Sequence, residues 1–69
     1  MQDTTTTNNS QGISFEEYKQ QVRDFLIEKW HYTIENANKE MKFYEDDILS
    51  YYQEGYGANV AGITIVMRA

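Results

Sequence analysis

His31 is the only histidine in a chain of 69 residues that has no cysteine. General-base catalysis or metal binding through an imidazole needs partner groups at defined spacing. None is recognisable around His31, which lies between Trp30 and Tyr32, and one histidine supports no nucleophile-base-acid set. The densest carboxylate cluster is Glu45-Asp46-Asp47. On a helix, successive side chains diverge by about 100°, so these three do not converge on one cation. Gly55 and Gly57 flank Tyr56, and a helix terminus accounts for them better than a phosphate-cradling loop. The chain therefore reads as a non-enzyme, with no catalytic residue, no cofactor site and no metal site.

Phe43 is the more informative residue. It points nearly opposite to the apolar stripe marked by Met41 and Ile48, and its neighbours at helical spacing are Glu40, Asp47, Ser50 and Glu54. An aromatic anchor ringed by carboxylates suits a protein partner, specifically a basic or nucleic-acid-binding one. Glu40, Asp47 and Glu54 recur every seven residues, about 10 Å apart along a helix axis, and such an array can imitate a line of phosphates. The competing expectation is that the tail or the last helix covers Phe43. The candidate partner-binding residues are thus Phe43, Glu40, Asp47 and Glu54.

Three helices are expected to position these groups. Ser14 and Glu17 make an S-x-x-E capping box, with Ile13 and Tyr18 at the staple positions around it. Phe15, Tyr18, Val22, Phe25 and Leu26 then share one face, which predicts a first helix over about 15–29. Trp30-His31-Tyr32 is a connector, and Thr33 is a candidate N-cap. Ile34, Ala37, Met41, Tyr44, Ile48 and Tyr51 alternate spacings of three and four, which predicts one long helix over about 34–54, closed by Gly55. Ile63-Thr64-Ile65-Val66 is β-branched enough for a strand, yet two helices offer a strand no partner. A short third helix over about 60–68 is preferred, capped by Asn59, with Val60, Ile63 and Met67 on one face.

Residues 1–12 carry no large apolar side chain after Met1 and are rich in Thr, Asn and Gln. Such a stretch buries too little to offset the entropy of ordering, so a disordered tail precedes a helical domain over 13–69. Six Lys and Arg against eleven Asp and Glu give a net charge of −5, which counts against direct binding of nucleic acid. The absence of a signal-peptide core and of any 18-residue apolar run makes neither export nor a membrane span expected.

Tyr44-Glu45-Asp46-Asp47-Ile48, followed by Tyr51-Tyr52 and Glu54-Gly55-Tyr56, resembles small uncharacterised all-helical proteins of Gram-positive gut bacteria and their phages or mobile elements. Those proteins usually carry a turn-and-cap pair after E-G-Y, where this chain has Gly57-Ala58. The resemblance implies no activity and no site residues, and it favours a cytoplasmic accessory protein over an enzyme. The expectation is an all-α three-helix bundle acting as a non-catalytic protein-binding factor, one that occupies a host protein. The alternative is a structural self-associating module, a homodimer through the second helix.

Overall fold

The structure is a computed structural model that describes residues 12–68. Apart from Gly12, the expected disordered tail lies outside the described residues. The fold is all-α, and the described residues form four helices rather than three: α1 (Phe15–Trp30), α2 (Ile34–Phe43), α3 (Glu45–Glu54) and α4 (Ala58–Arg68).

Local chemistry fixes the ends of α1. Ser14 is extended, and its Oγ accepts from the Glu17 amide at 3.1 Å, so the serine half of the capping box is made. Glu16 and Glu17 occupy the first turn and Lys29 the last, matching the helix dipole. The helix stops where His31 turns into the left-handed region at φ 59° and ψ 29°. The Leu26 carbonyl there accepts from the amides of His31 and Tyr32. Thr33 caps α2 by accepting from the Asn36 amide at 3.0 Å.

The long second helix expected over 34–54 is divided at Tyr44, whose φ of −102° and ψ of 22° leave helical geometry. Hydrogen bonds run up to the break and away from it, from the Tyr44 amide to the Glu40 carbonyl at 2.9 Å and from the Ile48 amide to the Tyr44 carbonyl at 3.0 Å. Charge explains the location. Lys42 lies in the last turn of α2, and Glu45, Asp46 and Asp47 fill the first turn of α3. Cations belong at a helix C-terminus and carboxylates at an N-terminus, so this stretch is written as an end followed by a start. Ala37 and Met41 of α2 and Ile48 of α3 enter one core across the bend. At Gly55, φ is 87°, the Gly55 amide bonds the Tyr52 carbonyl, and the Tyr56 amide bonds the Tyr51 carbonyl. That pair is the glycine-terminated Schellman arrangement.

α1 is the hub and packs against the other three helices. Tyr18, Val22 and Leu26 are its buried residues, joined by Ala37, Met41, Ile48, Ala61 and Ile65. Phe15 and Phe25 are only half-buried, and Ile34, expected on the stripe, is 66% exposed at the head of α2.

The last helix needs two corrections. It begins at Ala58, with the Gly57 carbonyl accepting from Val60 and Ala61, so Asn59 lies inside it and is not its cap. Val60, Ile63 and Met67 do share a face, but that face is exposed, whereas Ala61, Gly62 and Ile65 are buried. Ala61 and Gly62 go inward where α1 approaches closely, Phe25 lying against Gly62, and a larger residue at 62 would hold α1 off.

Candidate functional site

The surface around Phe43 is set by the break at Tyr44. Phe43 ends α2 with 78% of its surface exposed, so neither α4 nor α1 covers it. Its ring meets the ring of Tyr44 edge-on, with centroids 4.9 Å apart and planes at 84°. Tyr44 is half-buried against the core and thereby anchors the exposed ring. The two lie in an open concavity of about 540 Å³, together with Lys39, Glu40, Lys42 and Arg68.

The four residues singled out from spacing are thus separated in part. Phe43 and Glu40 share the concavity. Asp47, across the break, holds Arg68 with Oδ2 3.5 Å from Nη1. Glu54, in the last turn of α3, accepts from Ser50 Oγ at 3.4 Å. The heptad column assumed one straight helix, and its members are divided between two. The charge balance shifts accordingly. Lys39 and Lys42 outnumber Glu40 in the concavity, and Arg68 is offset by Asp47.

Arg68 was missed by spacing because only the tertiary register brings it here. α3 and α4 run antiparallel: Thr64 Oγ1 lies 3.3 Å from the Tyr51 hydroxyl, and one turn further along each helix Arg68 meets Asp47. Lys39 and Lys42 were legible, at four residues and one residue before Phe43.

A second groove, of about 560 Å³, runs between α1 and α2 over Met41. It is spanned by polar contacts: Lys19 Nζ lies 3.3 Å from Glu16 and 3.4 Å from Glu45, and Arg23 donates to Asn38 Oδ1 at 3.3 Å. Slight desolvation opposes the charge on Lys19, but Glu16 and Glu45 hold its pKa above the ordinary 10.5. Lys19 also sits 4.9 Å from the centroid of the Phe15 ring. These contacts tie α2 and α3 to α1.

Among the described residues Tyr18 is also perturbed: its pKa is pushed up to about 12 by burial and, secondarily, by the proximity of Tyr51. Its hydroxyl donates to the carbonyls of Tyr56 and Gly57 at 2.9 and 3.1 Å, which pins the α3–α4 turn to α1. His31 is exposed at the end of α1. Among the described residues no group of three or more His, Cys, Asp or Glu could hold a metal ion, and no helix is long and apolar enough to cross a membrane. No family model, curated protein or solved structure matches this chain.

Proposed function

We propose that this chain is a non-catalytic protein-binding module whose contact surface is centred on Phe43. The observation that carries the reading is a large aromatic side chain, 78% exposed, seated beside a half-buried tyrosine in an open concavity. Aromatic side chains in such pockets supply a disproportionate share of binding energy at interfaces. Covering a phenylalanine is worth about 1.5–3 kcal/mol.

Lys39 and Lys42 set the complement. The partner surface places an apolar side chain against Phe43 and carboxylates towards the lysines. This replaces the basic partner expected from an acidic column with a partner that is acidic around its contact point.

The test compares what wild type and Phe43→Ala capture from host proteins, with the melting curves of both in hand. A protein retained by wild type and lost with a Phe43→Ala variant of unchanged stability supports the reading. Identical capture by both removes Phe43 from the contact surface.

A further inference from the structure

α4 is the most apolar of the helices: between Ala58 and Met67 only Asn59 and Thr64 are polar. No residue from Ala58 to Met67 is charged, in a chain that is 25% charged. Its inward face, Ala61, Gly62 and Ile65, is covered by the rest of the fold. Val60 is 36% exposed, Ile63 39% and Met67 80%. At about 100° per residue these three fall within about 60° of one another, on the side opposite the buried face. Val60, Ile63 and Met67 therefore form a second apolar stripe on a helix whose first is already buried.

We propose that a second copy of this chain covers it, with the outer faces of two α4 helices packed antiparallel about a two-fold axis near Ile63. Charge is the first argument. Two chains of net charge −5 repel, and this uncharged stripe is where they can approach without bringing like charges together. Self-complementarity is the second. A two-fold contact pairs residue i with j and j with i. Around Ile63 that places Val60 of each copy against Met67 of the other, short against long, with the two Ile63 side chains meeting near the axis. The ends are the third. Arg68 closes α4 with its side chain 59% exposed even while it holds Asp47, and the exposed Glu54, which accepts from Ser50, lies just before the turn that starts α4. Antiparallel packing brings each Arg68 to the end of the partner helix where Glu54 lies, so opposite charges flank the apolar stripe at both ends.

The interface is small. α4 is about 16 Å long, and one face of it buries less than the roughly 1,200–2,000 Å² of a stable complex. The dimer is therefore weak and concentration-dependent. It shares only Arg68 with the surface proposed for Phe43, and either can fail without the other.

Sedimentation equilibrium of the full chain, from micromolar to millimolar, tests it. The expected result is a mass rising from monomer towards dimer, unaffected by Phe43→Ala. Ile63→Glu and Ile63→Lys should each remain monomeric while melting as wild type does. Mixed together they should regain the dimer, because position 63 faces itself across the axis. The chain has no cysteine, so Ile63→Cys adds a check that needs no charged variant to fold: oxidation should give a disulfide-linked dimer, and Phe43→Cys should not. A wild type that stays monomeric throughout, a dimer that survives both charged variants, or a mixture that stays monomeric overturns the proposal. So does cross-linking at 43 in place of 63.

Discussion

The ring of Phe25 lies against the bare Cα of Gly62, where α1 passes α4. A Cβ built on Gly62 would fall inside the van der Waals envelope of Phe25 Cδ2 and 2.9 Å from Cε2. Glycine within a helix costs about 1 kcal/mol relative to alanine, so packing is what requires it. Gly62→Ala should therefore destabilise by about 1–3 kcal/mol, as overpacking does, despite the better helix former. Adding Phe25→Leu should recover part of that loss. Denaturant midpoints of the three proteins decide it, and a stabilised Gly62→Ala would mean that the helices are not in contact there.

The Tyr18 hydroxyl gives the fold an alkaline limit. Its pKa is about 12 in the folded chain against an ordinary 10.0, because the phenolate is disfavoured by burial. Between those values the folded chain holds a proton that the unfolded chain has released, so the contribution is present below pH 10 and fades as pH rises through 12. Tyr18→Phe should cost about 0.5–1.5 kcal/mol at neutral pH, since two carbonyls lose their donor. The gap between wild type and Tyr18→Phe should narrow as pH climbs from 9 towards 12. Parallel melting curves across that range would show that Tyr18 ionises without penalty.

Much of this architecture is legible in local chemistry. Ser14 and Thr33 start helices with their side chains, and Gly55 ends one with its positive φ. The division at Tyr44 was also written in the chain, as Lys42 followed by Glu45-Asp46-Asp47, but a continuous heptad stripe outweighed it. Periodicity reports which residues share a face and is blind to a bend that keeps the face inward. The error on α4 is of another kind. Val60, Ile63 and Met67 have the spacing of a core stripe, and which of two apolar faces goes inward depends on how closely α1 approaches. That distance is set by Gly62 under Phe25, a tertiary fact. Arg68 at the Phe43 concavity depends on the α3–α4 register in the same way.

His31 is the only described non-glycine residue with positive φ, at 59°. The left-handed region costs an L-residue about 1–2 kcal/mol. Glycine avoids that penalty but loses about 0.5–1 kcal/mol more chain entropy on folding. The balance favours glycine, and His31→Gly should raise stability by about 0.5–1 kcal/mol. His31→Val, β-branched and unsuited to positive φ, should lower it. Thermal unfolding of both variants checks the sign. A destabilised His31→Gly would reveal that the imidazole makes a contact worth more than the strain.

Phe43 and Ile48 sit on either side of the break and should separate folding from binding. Ile48 is 1% exposed and Phe43 78%. Truncating a buried isoleucine to alanine costs about 2–5 kcal/mol, from lost transfer energy and the cavity left behind. That is a large fraction of the stability a domain of this size can have, so Ile48→Ala should be severely destabilised or unfolded. Phe43→Ala removes a ring that solvent already surrounds. It loses the edge-on contact with Tyr44, worth about 0.5–1.5 kcal/mol where such pairs are buried and less at this exposure. The helix end gains slightly from alanine's propensity, so the net change should be within about 0.5 kcal/mol. Melting curves of the two variants beside wild type are the measurement. A Phe43→Ala variant that melts as early as Ile48→Ala would place Phe43 in the folding core and leave the concavity without its anchor. A silent Phe43→Ala variant makes any affinity it loses for a partner attributable to the contact itself.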